Sequence, residues 1–356
     1  MTKILITGAA GYVGSLLHRR LTEQFPARES SGQVVASKAA SESGDPPSAT
    51  YIRESEVRIV ATDVAFPEMS EDREVCDITD PVSVDLLFAK HRPELVYHLA
   101  SMVNPRNAEQ REKAYAVDVE GSRNILDACI KYGTSRLVVT SSGAAYGYHA
   151  SNPIPIREDQ PLKPYTEFAY SHHKQLVEKM LGEHSATGHS PDVVVLRSGT
   201  ILGESTKNQI TALFEKPKVL GIRGSETPFV FIWDEDVVGA LIHAGKRSGE
   251  ASNTPDSARY IAPAGIYNLA GDGWLPVQEV ASILKKKIRW LWPGPLKLLL
   301  GIARPLGLSQ YGPEQIPFLQ YRPVLDNTRL KEVFGYIPEK SSRETFELFV
   351  KAAGLV

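Results

Sequence analysis

The sequence predicts an α/β fold in which a doubly wound parallel sheet carries a smaller C-terminal lobe. Three observations predict it: short β-branched apolar runs alternate with helix-like segments over residues 1–200, a glycine-rich turn follows the first run, and prolines accumulate beyond Gly203. Strands that alternate with helices of this length imply right-handed βαβ crossovers and a sheet covered on both faces. Ligands of such sheets bind outside the carboxyl ends of the strands, so a site is expected between sheet and lobe.

The individual elements follow from the spacing of apolar residues. Runs of apolar and β-branched residues predict strands, and apolar residues that recur three or four positions apart predict helices. The first helix is expected to end before Pro26, because proline has no backbone N–H to donate. The predicted strands are 3–7, 57–63, 95–100, 136–142 and 192–196, and the predicted helices are 13–25, 81–91, 114–131 and 165–183.

Residues 27–50 interrupt this alternation. They include six Ser, five Ala, two Gly, two Pro and no aromatic residue, which predicts a flexible surface insertion. Residues 1–200 are expected to form the sheet domain and residues 201–356 mainly the lobe, with about 229–247 returning to the sheet domain.

Charge and cysteine content exclude several classes of protein. The 40 Lys and Arg residues against 42 Asp and Glu residues leave a net charge of -2, which argues against a protein that grips nucleic acid through bulk charge. Cys76 and Cys129 form no C-x-x-C motif and suit a reducing compartment. Gly8, Gly11 and Gly14 argue against an N-terminal signal peptide, so a cytoplasmic protein is expected.

A second apolar segment, residues 288–308, contains prolines and basic residues that leave no run long enough to span a bilayer. Three interpretations stay open for it: an amphipathic cover over a pocket, a lid over a bound substrate, or a surface helix that touches a membrane.

The turn GAAGYVG, residues 8–14, follows the first predicted strand and opens the first predicted helix. Glycines in such a turn permit a tight bend, a close approach to a pyrophosphate and close packing of helix on strand. The helix N-terminus adds unpaired N–H groups and the positive end of its dipole. The turn therefore indicates a dinucleotide site, although G-x-x-G-x-x-G alone is a weak motif.

The preference between NAD and NADP depends on the residue that ends the second strand. Asp63 ends strand 57–63 but lies far beyond Gly14, whereas residues 33–38 lie near the usual distance and end in Ser-Lys. A carboxylate at this point binds the ribose hydroxyls and repels a 2′-phosphate. Asp63 is favoured because its strand is longer and more β-branched, so the sequence predicts NAD rather than NADP.

Tyr170 and Lys174 lie four residues apart on a predicted helix and therefore on one face. A lysine ammonium near the phenol is expected to lower the tyrosine pKa from about 10 toward the working pH, which makes the tyrosine a general base or acid. The stretch TSSGAAYG, residues 140–147, lies at the end of the preceding strand, and a serine hydroxyl there is expected to hydrogen-bond the oxygen whose proton the tyrosine handles.

Four further motifs accompany this pair: Asp77-Ile78, HLAS at residues 98–101, DVEGSRN at 118–124 and LRSGT at 196–200. Together with the glycine turn and the Tyr-Lys pair they resemble the extended short-chain dehydrogenase/reductases, the NAD-dependent epimerase/dehydratase family, over nearly the whole chain. The resemblance implies a Rossmann-type fold, hydride transfer at a nicotinamide, and a homodimer through helices 114–131 and 165–183. The catalytic residues that it implies are Ser142, Tyr170 and Lys174. The implied cofactor contacts are Gly8, Gly11, Tyr12, Val13, Gly14, Asp63, Asp77, Ile78, Leu99, Ala100, Ser101, Tyr170, Lys174 and Arg197, and the implied substrate contacts are Ser142, Gly143, Thr200 and Arg223.

Several positions depart from the family pattern. Many members have Asn where this chain has Asp118, a change that affects either a proton relay or only the start of a helix. The nucleotide-sugar enzymes usually carry Asn where Thr200 stands and an Arg near Pro228, and this chain has neither. Arg223 is the candidate replacement. A smaller sugar, a sugar acid or an apolar carbocycle is therefore at least as strong an expectation as a nucleotide sugar.

Two polar clusters are expected to be structural. Adjacent residues on a helix point about 100° apart, so His172 and His173 are expected on the helix surface rather than as metal ligands, and no metal site is predicted. The acids at 234–236 are expected to begin a helix rather than to form a catalytic carboxylate pair.

The predicted function is that of an NAD-dependent oxidoreductase, or of an epimerase that uses transient oxidation. The expected substrate is a secondary alcohol or ketone of a sugar or a similar small molecule, with Tyr170 as general acid/base. One alternative is a nucleotide-sugar epimerase or dehydratase. An alternative of another class is a regulator that senses the dinucleotide without catalysis, and the presence of both Tyr170 and Lys174 disfavours it.

Overall fold

The computed structural model describes residues 2–26, 57–103, 105, 107–248, 260–303, 306, 312–313 and 315–356. The predicted insertion at 27–50 lies outside the described residues, and so does the competing strand end at 33–38.

The described strands and helices alternate over the first half of the chain. The strands are β1 (Thr2–Thr7), β2 (Val57–Asp63), β3 (Arg73–Val75), β4 (Leu95–His98), β5 (Arg136–Ser142), β6 (Asp192–Ser198), β7 (Thr200–Leu202), β8 (Val219–Ile222), β9 (Phe231–Trp233), β10 (Gly265–Leu269) and β11 (Ile288–Leu291). The α-helices are α1 (Tyr12–Gln24), α2 (Pro81–His91), α3 (Ala108–Tyr115), α4 (Gly121–Tyr132), α5 (Ala169–Ser185), α6 (Thr211–Phe214), α7 (Asp234–Gly245), α8 (Val277–Ile283), α9 (Pro293–Ala303), α10 (Gln315–Gln320) and α11 (Ser342–Ala352).

Seven of these strands form one parallel sheet in the order β10-β6-β5-β4-β1-β2-β3. This confirms the predicted doubly wound fold. The strand order reverses between β1 and β4, and a crevice for a ligand opens at such a point outside the carboxyl ends of the strands. The sequence did not predict β3, a short edge strand with little apolar character, or β10, which reaches the sheet from far along the chain.

Two predicted helices differ from the structure. The helix expected over 114–131 comprises α3, one π-helical turn at Ala116–Glu120, and α4. The helix expected from residue 165 begins at Ala169. Tyr165 and Phe168 instead pack against Tyr148, with the Phe168 ring centroid 5.3 Å from that of Tyr148. This aromatic packing holds the segment in an irregular conformation that the helical spacing does not reveal.

Each face of the sheet is covered by helices. Leu17 and Leu21 of α1 share one core with Val237 and Leu241 of α7, and the other face packs on α2, α4 and α5. The C-terminal lobe has its own core, built on an aromatic cluster. Its rings are Phe214, Phe229, Phe231, Phe346 and Phe349.

The apolar segment 288–308 forms β11 and α9. Pro293, Gly294 and Lys297 of α9 line a cleft of about 480 Å³, together with residues of α10 and of the segment before α5. No residue of α9 is buried. Among the described residues, no helix is long and apolar enough to cross a bilayer.

Candidate active site

The glycine turn lies at the carboxyl end of β1 and is shaped by close backbone contacts. Gly8 has a φ of 70°, and a Cβ on it would lie 2.5 Å from the backbone nitrogen of Ala100. A Cβ on Gly14 would lie 2.1 Å from the carbonyl oxygen of Gly8. A Cβ on Gly11, at the N-cap of α1, would meet only that same oxygen, at 3.1 Å. The fold therefore requires Gly8 and Gly14, while the side of the turn at Gly11 is open.

Asp63 ends β2 beside this turn, as predicted. One carboxylate oxygen accepts a hydrogen bond of 3.0 Å from the backbone nitrogen of Ala10, and the other accepts one of 2.8 Å from that of Val64. Residues Val57 to Thr62 of β2 pair with β1, which confirms β2 as the neighbouring strand in the sheet. The carboxylate thus braces the turn and puts a negative charge next to it.

The ends of β3 and β4 supply the next predicted contacts. Asp77 is exposed and accepts hydrogen bonds from the nitrogen and the hydroxyl of Thr79, at 2.9 and 2.8 Å. Ile78 is buried, and a Cβ on Gly121 would lie 2.7 Å from its Cδ1. The Leu99 nitrogen donates to the carbonyl oxygen of β1 at Thr7. All three predicted positions, Asp77, Ile78 and Leu99, therefore lie along the carboxyl edge of the sheet.

Ser142, Tyr170 and Lys174 are brought together between β5 and α5. The Lys174 ammonium donates to the Thr140 carbonyl oxygen at 2.9 Å and lies 5.5 Å from the centroid of the Tyr170 ring. Ser142 ends β5, and its hydroxyl accepts from the Ala144 nitrogen at 3.1 Å. The three side chains that the sequence grouped are therefore neighbours, with a tyrosine hydroxyl, a serine hydroxyl and a buried cation at one point.

The pKa of Tyr170 differs from the prediction. Burial raises the pKa of Tyr170 to about 12, against a smaller lowering by its hydrogen bond with Ser142. The expectation that Lys174 brings this pKa below its usual value is wrong for the protein alone, because desolvation dominates. Burial also lowers the pKa of Lys174, and the charges of Asp118 and Glu178 oppose that shift.

A buried histidine that the sequence analysis did not single out stands behind the turn. His98 bonds through Nδ1 to the Thr7 hydroxyl, at 2.7 Å, and through Nε2 to the Ser122 hydroxyl, at 2.8 Å. The Ser122 proton goes to the carbonyl oxygen of Asp118, so His98 donates through Nε2 and accepts at Nδ1. Burial lowers the pKa of His98 to about 3, which keeps it neutral. In the sequence, His98 could have been recognised from its position at the end of β4, the strand that lies beside β1.

Asp118 and His173 form a buried hydrogen-bonded pair in the same region. His173 Nδ1 lies 2.9 Å from one Asp118 oxygen, and the other oxygen accepts from the Ser101 hydroxyl and the Met102 nitrogen, both at 2.9 Å. The expectation that His173 lies on the helix surface is wrong, because α5 turns this side chain toward the π-helical turn that carries Asp118. Ser101, a predicted cofactor contact, is held by this pair.

Arg197 is directed at protein groups. It is buried, and its Nη2 and Nε lie 2.6 and 2.9 Å from one oxygen of Glu178, while Nη1 donates to the Tyr146 hydroxyl at 2.6 Å. Ser141 donates to the other oxygen of Glu178. These contacts tie β6 to α5 under the Tyr-Lys pair. Its role as a cofactor contact stays a prediction that these contacts do not support.

The predicted substrate residues lie at different places in the site. Gly143 is buried, and a Cβ on it would lie 3.1 Å from the Leu325 side chain of the lobe. Thr200 begins β7 and donates its backbone N–H to Val230 at 3.1 Å. Arg223 is exposed and lies over the Trp292 ring, 4.8 Å from its centroid. Gly143 and Ser142 are adjacent, whereas Arg223 lies on the lobe surface near α9.

Tyr12 links the glycine turn to the lobe. Its hydroxyl donates to Asp234 at 2.6 Å and lies 2.8 Å from the Thr206 hydroxyl. Burial and the bond to Asp234 raise the pKa of Tyr12 to about 12. The acids at 234–236 occupy the first turn of α7, which confirms that they begin a helix.

The described residues fit a bound dinucleotide. A pyrophosphate fits the turn because Gly8 and Gly14 have no Cβ, the side at Gly11 is open, and the N-terminus of α1 lies there. The Asp63 carboxylate can accept hydrogen bonds from ribose hydroxyls. Tyr12 and Val13 begin α1 directly after this turn, and the backbone of Ala100 lies against Gly8. Fold and site thus define an α/β enzyme that binds a dinucleotide beside a tyrosine, a lysine and a serine.

A model of the NAD dependent epimerase/dehydratase family matches residues 4–253. The chain belongs to this family and is an NAD-dependent enzyme, which confirms the predicted family, fold class and cofactor. Protein y4nL of Sinorhizobium fredii, which is uncharacterised, is 26% identical over 96% of this chain and 92% of its own length. UDP-glucose 4-epimerase of Azospirillum brasilense is 29% identical over 56% of this chain, which covers 49% of that enzyme.

Solved structures share the fold over the whole chain. UDP-glucose 4-epimerase of Thermotoga maritima, solved with UDP-glucose, aligns with a TM-score of 0.66 at 20% identity and covers 99% of each chain. A monomeric L-threonine 3-dehydrogenase from a metagenome aligns with a TM-score of 0.64 at 19% identity, again over 99% of each chain. At this level of identity the likeness concerns the fold alone.

Proposed function

We propose that this enzyme transfers a hydride between NAD and a secondary alcohol or ketone of a sugar, a sugar derivative or a similar small molecule. The observation that carries the proposal is the meeting of Ser142, Tyr170 and Lys174 at the carboxyl edge of the sheet that carries the glycine turn. The outcome is either net oxidation or epimerisation through transient oxidation. The sugar enzymes among the relatives support a sugar-type substrate.

Each of the three side chains has a distinct task. The Tyr170 phenol exchanges a proton with the substrate oxygen, and the Ser142 hydroxyl orients that oxygen by a hydrogen bond. Lys174 stands beside the phenol as a buried cation and favours the phenolate when the proton has left. Bound NAD supplies the acceptor or donor of the hydride. Because burial holds Tyr170 protonated at neutral pH, the phenol is ready to act as the acid in carbonyl reduction.

The substrate class distinguishes the proposal from its alternatives. A nucleotide-sugar epimerase or dehydratase is the second candidate, and the UDP-glucose 4-epimerases among the relatives favour it. Against it stand Thr200 and Pro228, since the nucleotide-sugar enzymes usually carry Asn at the first position and an Arg near the second. Arg223, the candidate replacement, is exposed. A regulator without catalysis is disfavoured because the tyrosine, serine and lysine are assembled.

The proposal is tested by incubating the protein with NAD and a panel of free sugars, sugar acids, cyclic secondary alcohols and nucleotide sugars. Net oxidation is followed by NADH formation, and epimerisation by chromatography of the sugar. Turnover of a small sugar or alcohol supports the first proposal, and turnover of nucleotide sugars alone supports the second. If the protein binds NAD tightly but turns over no compound of the panel, the result favours a regulator that senses the dinucleotide without catalysis.

Asp63 is proposed to select NAD over NADP. Its carboxylate lies at the turn and repels a 2′-phosphate, so NADPH is expected to bind at least about tenfold more weakly than NADH. Titration of each cofactor by fluorescence measures the ratio. In Asp63→Ser the ratio is expected to approach one. Tighter binding of NADPH to the unaltered protein would contradict the assignment of Asp63.

Asp118 is expected to affect how the rate of alcohol oxidation depends on pH. Its negative charge opposes formation of the Tyr170 phenolate and so raises the pKa of Tyr170. Asp118→Asn removes that charge with little change in shape, so the Tyr170 pKa falls. Because alcohol oxidation needs the phenolate, the rising limb of the rate against pH is expected to move to lower pH. A profile that stays in place or moves to higher pH contradicts this coupling.

Domain division, assembly and location complete the proposal. We propose an NAD-binding domain at 1–200 and a substrate-binding lobe at 201–356, with 229–247 returning. The packing of α7 on α1 supports that return, and β10 adds a second returning element. A homodimer through α4 and α5 and a cytoplasmic location are proposed as well. Buried free cysteines support a reducing compartment, and light scattering of the purified chain tests the dimer.

A further inference from the structure

One face of α9 is apolar and uncovered. Leu298 is 67% exposed, Leu299 62% and Ile302 54%, and Leu306, just after the helix, is 65% exposed. Pro295, Leu298, Leu299 and Ile302 recur at spacings of three and four and lie along one stripe of the helix. A contiguous apolar stripe in water marks a surface that binds something.

A different face of the same helix lines a cleft within the fold. Pro293, Gly294 and Lys297 line the cleft that α9 forms with α10. The stripe at 298, 299 and 302 is not part of that lining, so closing the cleft does not cover it. Among the residues that the structure describes, none covers the stripe, which leaves it open to an occupant from outside the fold.

The sequence around the stripe is rich in cations. Residues 280–313 contain six Lys and Arg residues and no Asp or Glu, in a chain whose net charge is -2. Lys285, Lys287 and Arg289 are exposed, and β11 leads from them directly into α9. Arg223 extends the cationic surface on the neighbouring strand β8. The exposed acids on the adjacent segments include Glu215, Glu226 and Glu167, the last of which lines the cleft with α9.

The positive charge near the stripe favours an anionic bilayer over a second copy of the chain as its binding partner. A second copy of the chain would bring the same cationic surface against itself across a two-fold axis, which is repulsive. An anionic lipid bilayer offers both an acyl layer for the apolar stripe and negative headgroups for the cations. Trp292, 62% exposed at the start of α9, has the amphipathic ring that favours the boundary between the two.

We propose that β11 and α9 dock the enzyme on the surface of an anionic bilayer. The Leu298, Leu299 and Ile302 side chains enter the acyl boundary, and Lys285, Lys287 and Arg289 contact the headgroups. The helix lies in the plane of the interface and does not span the bilayer. The cleft that α9 lines then opens next to the lipid surface.

The test is flotation of the full-length protein with vesicles of phosphatidylcholine alone or with phosphatidylglycerol. Binding to the anionic vesicles is expected to be at least about tenfold stronger and to weaken with salt. Leu298→Ser with Leu299→Ser, and separately Lys285→Glu with Lys287→Glu, are each expected to reduce it at least about tenfold. Ile337→Ser is the matched control, because Ile337 is 72% exposed but lies outside this surface.

Four outcomes overturn the proposal. Equal binding to both kinds of vesicle removes the role of the cations, and binding unaffected by the leucine variant removes the role of the stripe. Absent vesicle binding together with a dimer that the leucine variant dissociates assigns the stripe to a second copy. Absent vesicle binding with an altered KM in the leucine variant assigns α9 to a substrate lid. Circular dichroism and NADH titration, expected to be unchanged in every variant, establish that the variants are folded.

Discussion

Replacing Tyr170 with phenylalanine is expected to reduce turnover by about 10²- to 10⁴-fold while NAD affinity stays within about twofold. The phenol is the group that exchanges a proton with the substrate oxygen, and the ring alone preserves the packing of α5 against β5. The measurement is kcat for the best substrate of the panel, together with an NADH titration.

A control variant distinguishes the loss of proton transfer from the general effect of removing a tyrosine hydroxyl. Tyr132→Phe also removes one phenol hydroxyl, which donates to Asp85 at 2.9 Å on the far side of α4, and it is expected to leave kcat unchanged. Ser142→Ala is expected to lower kcat less than Tyr170→Phe, because serine orients the oxygen without moving its proton. Near-normal turnover in Tyr170→Phe contradicts the mechanism.

Gly14→Ala is expected to abolish measurable NAD binding and to lower the free energy of unfolding by about 1–3 kcal/mol. The new Cβ would lie 2.1 Å from the Gly8 carbonyl oxygen and 2.8 Å from the Ala9 Cα, both backbone atoms that cannot rotate away. The turn must shift, and with it the N–H groups that we propose to bind the pyrophosphate. Urea denaturation and NADH titration measure the two effects.

The control for this variant is Gly182→Ala. Gly182 lies in α5, and a Cβ there would meet no atom within 4 Å. Alanine has the higher helix propensity, so this variant is expected to gain up to about 1 kcal/mol and to bind NAD normally. Normal NAD affinity in Gly14→Ala would mean that the turn does not carry the pyrophosphate.

Local sequence features predicted much of this fold because they act over short distances. Strand 57–63 and helix 81–91 have the predicted bounds, since β-branched apolar runs decide the first and the Asp80 cap with Pro81 begins the second. The glycine turn was predictable because a close backbone approach leaves glycine no substitute. Helical spacing predicted that Tyr170 and Lys174 share one face of α5, whereas their catalytic role was predicted from the resemblance to the family.

Features that depend on distant contacts were not predictable in the same way. His173 is buried because α5 faces the turn carrying Asp118, 55 positions earlier in the chain. The strand β10 joins the sheet at β6 from beyond residue 260. The pKa of Tyr170 depends on how completely the fold removes water around it, which spacing does not reveal. Each of these results from packing between elements rather than from the elements themselves.

The central claim, that Tyr170 and NAD together carry hydride chemistry at this site, is tested most directly by isotope tracing. The substrate from the panel is prepared with deuterium at the carbon that bears the reacting hydroxyl and is incubated with the enzyme and NAD. If the enzyme transfers a hydride, the deuterium is recovered on the nicotinamide after net oxidation, or on the epimerised carbon after transient oxidation; this is the expected result. Loss of the deuterium to solvent during turnover would contradict the account, because it would show proton abstraction in place of hydride transfer.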